Sequence, residues 1–129
     1  MPPARDHMSR DLLTVDSGLR LAEVAARMVE RSVGAVLVLD GERLAGILTE
    51  RDVLRAVARG IRADAVVREW MTTDPETIEP DETTEHAATL MMHGGFRHLP
   101  VTEGGTVVGI LSIRDLMAIA LTDSAPRGV

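Results

Sequence analysis

Residues 46–52 read GILTERD, and residues 109–115 read GILSIRD. The phrase is spelled twice in a chain of 129 residues, with a hydroxyl at its fourth position and an aspartate at its seventh. Aligning Gly46 with Gly109, an offset of 63 (109 − 46), extends the match both ways without a gap. Met8 meets Met71, Asp11 meets Asp74, and Thr14-Val15 meets Thr77-Ile78. Ala25 meets Ala88, Met28 meets Met91, Val38 meets Val101 and Gly41 meets Gly104. A gap-free match of that length marks a tandem duplication, covering residues 6–57 and 69–120.

Each copy reads β-α-β-β-α. LLTVD and PETIEP are short extended openings. In LRLAEVAARMVERS, Leu21, Val24, Ala25 and Met28 recur at helical spacing, and Ala87, Leu90 and Met91 hold the corresponding places. Pro80 suits the first turn of that second helix, with Asp81, Glu82 and Glu85 favouring its positive end. The acidic cluster from Asp74 to Glu85 therefore reads as a solvated helix entry and not as a metal site. Next come AVLVLDGERLAGILT and HLPVTEGGTVVGILS, apolar runs around Asp40-Gly41 and Gly104-Gly105, which signal hairpins. Their near-continuous apolarity predicts strands covered on both faces. ERDVLRAVARG and IRDLMAIALT close the copies as helices. VVREWM adds a short helix between them, with Trp70 packing it onto a neighbour.

One such unit is too small to bury its apolar faces alone. The expected architecture is α/β, of the α+β kind: repeats at 6–62 and 63–122 related by a pseudo-twofold axis, and a disordered tail at 123–129.

Composition narrows the function. The chain is 45% hydrophobic but only 2% aromatic, so its core is aliphatic. With no cysteine it has no disulfides, thiolate metal sites or cysteine nucleophiles. The net charge is −6 and all basic residues are arginines; without a basic stripe or stacking aromatics, nucleic acid is not an expected partner. No apolar run is long enough to cross a bilayer, and MPPARDHMSRD has no signal-peptide core. No membrane partner and a cytoplasmic location are expected. His86, His93 and His98 lie close in sequence, but no carboxylate completes a ligand set, so no metal is expected. No nucleophile elbow is present, and no enzymatic activity is expected.

Two readings of the repeated phrase stand side by side. In the first, Thr49 with Asp52, and Ser112 with Asp115, are capping boxes at the start of the closing helices. In the second, the same geometry serves a ligand. The free amides of a helix start suit phosphate, a cap hydroxyl can donate to it, and a carboxylate one turn on can accept from both hydroxyls of a ribose. Gly46 and Gly109 would allow close packing or a bulge.

The chain resembles a tandem pair of CBS domains, a Bateman module. The resemblance rests on MSRDLLTV with MTTDPETI, on VGAVLVLDGERLAGILTERD and FRHLPVTEGGTVVGILSIRD, and on a G-h-h-[ST]-x-x-D motif occurring twice in order. It implies two crevices between the units that hold adenosine-containing ligands: AMP, ADP, ATP or S-adenosylmethionine, with no other cofactor required. Carried over, Asp52 and Asp115 would hold ribose hydroxyls, and Thr49 and Ser112 would contact phosphate. Thr14-Val15 and Thr77-Ile78 would line the adenine pocket. Val33-Gly34-Ala35 and Phe96-Arg97-His98 would supply the remaining walls, and Arg51 and Arg114 would either serve a crevice or simply be exposed helix residues.

Repeat two has Arg97-His98 where repeat one has Gly34-Ala35. Only the second offers cationic groups there. Unequal sites are expected, the second favouring a charged nucleotide, the first taking a less charged ligand or none. The resemblance thus implies a stand-alone sensor, homodimeric, acting through an unidentified protein partner or its own assembly. The alternative it allows is a structural dimerisation module that binds nothing small.

Overall fold

A computed structural model describes residues 2–124. The chain forms two compact units, one comprising Asp11–Pro75 and the other Met1–Arg10 with Glu76–Val129. Both are built on one plan.

In the Asp11–Pro75 unit, β1 (Thr14–Asp16) leads into α1 (Leu21–Arg31), β2 (Ala35–Asp40), β3 (Arg43–Thr49) and α2 (Glu50–Ala58). A short 3₁₀ turn (Val67–Glu69) and β4 (Thr72–Thr73) follow. The sheet order is β1-β2-β3-β4, with β1 parallel to β2 and the other pairs antiparallel. Gly41 turns the β2–β3 hairpin at φ 62°, a conformation glycine adopts without steric cost. Four consecutive buried residues in β2 (Ala35–Val38) show a strand covered on both faces, as its continuous apolarity predicts. The core joins Val15, Leu21, Val24, Met28, Val36, Val38, Leu48, Ala56 and Val67, with Trp70 packed at its edge.

The other unit repeats this with a 3₁₀ turn (Ala4–Asp6), α3 (Thr84–Gly94), β5 (His98–Glu103), β6 (Thr106–Ser112) and α4 (Ile113–Ser124). Ile78 bridges Val101 in parallel, standing where β1 stands in the first unit. Its core is Ala4, Ile78, Ala87, Met91, Leu99, Val101 and Leu111, each 63 positions from a core residue of the other unit. Gly104 and Gly105 both take positive φ in its hairpin.

The compact units cut the chain differently from the sequence repeats. The sheet edge beside β3 comes from Thr72-Thr73, and the edge beside β6 comes from Ser9, which bridges Ile110. The opening segment of each repeat thus packs against the other repeat's strands. The backbone bonds match pair for pair. Leu21 N–H donates to Ala65 O (2.9 Å) as Thr84 N–H does to Pro2 O (3.0 Å), and Val67 N–H donates to Leu19 O (2.9 Å) as Ala4 N–H does to Glu82 O (2.8 Å). The periodicity therefore reaches back to residues 2 and 65, beyond the span the sequence alignment marked.

This arrangement explains the first glycine of the repeated phrase. A Cβ on Gly46 would stand 2.6 Å from Met71 Sδ and 2.7 Å from Thr72 O, and one on Gly109 would collide with Met8 Sδ. Each glycine also flanks a bulge: the β2–β3 register slips between Val38 and Leu39, and the β5–β6 register between Val101 and Thr102. Both uses expected of these glycines, close packing and a bulge, are present.

One expectation is corrected. Pro80 is not in the first turn of α3, which starts at Thr84 behind an N-cap, Thr83, that accepts from His86 N–H (3.0 Å). A threonine hydroxyl can satisfy an orphan amide and a proline cannot, so the cap sets the start. Pro80 instead offers its carbonyl to Arg5 N–H (3.0 Å). Of the tail expected at 123–129, α4 takes in Asp123 and Ser124, and residues 125–129 lie outside the described residues.

Candidate functional site

Where β3 gives way to α2, Thr49 is still extended (φ −116°, ψ 166°). Extended backbone at this position aims its side chain back over the first helical amides. Asp52 N–H donates to Thr49 Oγ1 (3.4 Å), while Thr49 N–H and Oγ1–H donate to Asp52 Oδ2 (2.8 and 3.0 Å). This is a complete capping box. The start of β2 closes on the same point: Ala35 pairs with Thr49, and Glu50 N–H donates to Gly34 O (3.0 Å).

The second unit repeats this geometry. Ser112 N–H donates to Asp115 Oδ2 (2.8 Å), and Asp115 N–H donates to Ser112 Oγ (3.1 Å). His98 pairs with Ser112, and Ile113 N–H donates to Arg97 O (2.8 Å). The capping-box reading of the phrase is thus realised in both copies.

The carboxylates differ in what remains to them. Asp52 is 5% exposed, and its second oxygen, Oδ1, accepts from Arg55 Nη1 (3.1 Å). Three donors thus meet it: the Thr49 amide, the Thr49 hydroxyl and Arg55. The position 63 residues on from Arg55 is Ala118, which has nothing to donate. Asp115 is half-buried, and among the described residues only the Ser112 amide is recorded as a donor to it. A free carboxylate oxygen beside a cap hydroxyl can accept from a ligand's hydroxyls.

The strands bring the other expected residues near these helix starts unequally. Val15 (5% exposed) and Ile78 (1% exposed) face the cores, while Thr14 and Thr77 are exposed beside them. Leu37 N–H bonds to Leu13 O (3.0 Å), and Ile78 N–H bonds to Pro100 O (3.1 Å), fixing both pairs against the middle strand. Val33 and Phe96 are partly buried and packed on their units' cores, so packing accounts for much of each side chain. Arg97 and Arg114 are exposed and His98 is half-buried. Arg55 was not singled out from the sequence; its signal was the mismatch with Ala118 under the 63-residue offset.

The CBS domain model matches residues 4–59 and 67–121, which is most of the chain. The chain belongs to the CBS domain family. Among curated relatives, an uncharacterized 17.7 kDa protein of Acidianus ambivalens is 40% identical over 84% of this chain and 66% of its own length. An uncharacterized protein of Methanocaldococcus jannaschii is 32% identical over 95% of this chain and 44% of its own length. The chain thus spans less than two thirds of each. A putative signal-transduction protein with CBS domains from Burkholderia ambifaria superposes with a TM-score of 0.84 at 34% identity, covering 93% of this chain and 90% of that one. A CBS domain protein from Pyrobaculum aerophilum, solved with AMP, superposes with a TM-score of 0.83 at 25% identity, over 95% and 99% of the two chains. The mixed α/β architecture expected from sequence is that of these CBS pairs. Among the described residues no helix is long and apolar enough to cross a membrane, and no group of three His, Cys, Asp or Glu side chains could hold a metal ion.

Proposed function

We propose that the chain is a regulatory module that binds an adenosine nucleotide of the AMP, ADP or ATP class in the unit holding β5, β6 and α4. One observation carries this reading: among the described residues only the Ser112 amide donates to the Asp115 carboxylate, which sits at a capped helix start with exposed Arg97 and Arg114 on the neighbouring strand end and helix turn. Asp115 accepts from the ribose hydroxyls. Ser112 and Arg97 meet the phosphate, with Arg114 and His98 at its margin. Thr77 and Ile78 hold the adenine edge through their backbone. AMP in the Pyrobaculum aerophilum protein supports the ligand class. The ligand acts by favouring one of two conformations, which it can do only by its difference in affinity for them.

Output runs through a protein partner or through pairing with a second copy. Val29 and Met92, and Leu54 and Met117, are exposed apolar residues at repeat-equivalent positions, so each unit carries apolar surface that such a contact could cover.

A thermal-shift series with AMP, ADP, ATP and S-adenosylmethionine tests the reading. At a hundred times its dissociation constant a ligand adds about 2.7 kcal/mol. The shift with AMP, ADP or ATP is expected to vanish in Asp115→Asn, which keeps a cap oxygen but loses the charge, and to persist in Asp52→Asn. No shift with any of the four, in folded protein freed of nucleotide, would reject the reading. It would favour the second one, a dimerisation module whose repeated phrase only caps helices, since both capping boxes close without a ligand.

A further inference from the structure

The two units differ at a second matched pair, and the two changes compensate each other sterically. Position 34 is glycine and position 50 glutamate; 63 residues on, these become Arg97 and Ile113. A Cβ placed on Gly34 would lie 3.5 Å from both Cδ and Oε1 of Glu50 and 3.7 Å from Oε2. The Glu50 carboxylate therefore lies over Gly34, where the second unit starts the Arg97 side chain. Removing a side chain at 34 makes room for an acid, and in the other copy an arginine stands beside an apolar residue. At the mouth of an otherwise equivalent helix start, one unit places a negative charge and the other a positive one. Arg51 and Arg114 are exposed at matched positions and do not alter the contrast, and Arg55 is engaged by Asp52.

We infer that Glu50 is a specificity-determining residue. It bars phosphate from the Thr49–Asp52 site and leaves that site to an adenosine compound neutral or cationic at its 5′ end. This rests on the reading that the helix starts take adenosine ligands. Glu50 directly follows Thr49 and its carboxylate lies over Gly34, whose carbonyl meets the Glu50 amide at the same helix start, so a phosphate entering there meets a like charge, which repels it even in a partly solvated site. A neutral or positively charged 5′ group meets no such penalty.

The test uses calorimetry with AMP and with adenosine as probes, in the Asp115→Asn background that silences the other unit. That protein is expected to bind adenosine but not AMP. Adding Glu50→Gln removes the charge and keeps the backbone N–H hydrogen bond to Gly34 O, and should tighten AMP by about tenfold or more. Adding Gly34→Arg with Glu50→Ile copies the second unit's pair, and should restore one AMP per chain. Gly34 does not use positive φ and a Cβ there makes only ordinary contacts, so the arginine fits. The inference is overturned if AMP affinity is the same with and without the Glu50 charge, or if the transplanted pair gains no AMP. If wild type fails to bind AMP but the transplant binds it, the nucleotide reading of the β5–β6 unit falls and this inference stands. If no protein in the series binds either probe, both fall.

Discussion

Gly109→Ala tests the exchange of edge segments directly, because the atoms it strikes belong to the chain's N-terminal stretch. The three nearest atoms to a Cβ at 109 are all from the Met8 side chain: Sδ, Cγ at 2.7 Å and Cβ at 3.1 Å. Overpacking of this kind costs about 1–3 kcal/mol. Methionine is unbranched and can yield, so a value of about 1–2 kcal/mol is expected. The equivalent Gly46→Ala meets Thr72 O, a backbone atom at 2.7 Å that cannot swing away, and should reach about 3 kcal/mol. Replacing glycine also lowers the entropy of the unfolded chain, worth about 0.4–1 kcal/mol in the other direction. In a Met8→Ala background the clash with Sδ and Cγ is gone, and Gly109→Ala should then be close to neutral. The double-mutant cycle is read by urea unfolding, with midpoint and slope both recorded. A coupling of about 1 kcal/mol or more between positions 8 and 109 is expected, beyond the roughly 0.3–0.5 kcal/mol within which independent sites add. Additivity would refute the packing of Met8 on β6. Rescue of Gly109→Ala by Met71→Ala instead would show that each repeat closes with its own preceding segment.

Three further outcomes follow from the same geometry. Asp52→Ala should destabilise more than Asp115→Ala in chemical denaturation, by about 1–2 kcal/mol, because it strips a nearly buried acceptor from two Thr49 donors and leaves Arg55 unpartnered. Thr83→Ala should cost about 1 kcal/mol and Thr83→Ser almost nothing, measured by thermal unfolding, since only the cap oxygen matters to His86 N–H. Ser32→Gly should stabilise by a few tenths to about 1 kcal/mol in the same assay, because Ser32 ends α1 at φ 54°, where a side chain is strained.

The duplication made most of the fold readable. Apolar spacing found α1 and α3, and Gly41 and Gly104-Gly105 found the hairpins, because local periodicity and turn chemistry decide those elements. What it could not show was which copy each edge segment serves. Met8 and Met71 align under the offset whether a segment pairs with the repeat after it or the one before it. Repetition makes the two solutions identical in pattern, and only the hydrogen bonds of Ser9 to Ile110 and of β4 to β3 distinguish them. Pro80 failed for a different reason. Its fixed φ suits a helix start, but Thr83 three residues later offers a hydroxyl to an orphan amide, and that bond sets the boundary.

At the candidate site the repeated letters were the less informative ones. Thr49 with Asp52 and Ser112 with Asp115 build the same box, so on their own they give no reason for the two units to differ. The difference lies in positions that break the repeat: Arg55 against Ala118, Gly34 against Arg97, and Glu50 against Ile113. The Gly34–Arg97 contrast was visible as a gain of positive charge in the second copy. That Glu50 answers it, and that Arg55 ties down Asp52, depends on which side chains meet, and helical spacing alone leaves several partners open to each. Sequence identity between the copies thus marks the frame that both must keep, and departures from it mark where each unit was free to acquire its own chemistry. For this chain the departures that bear on the site are those whose side chains reach the two helix starts, at 34, 50 and 55 and their counterparts 97, 113 and 118. If the repeats were retained only to pair with one another, substitutions at 34, 50 and 55 should change stability without changing what the protein binds.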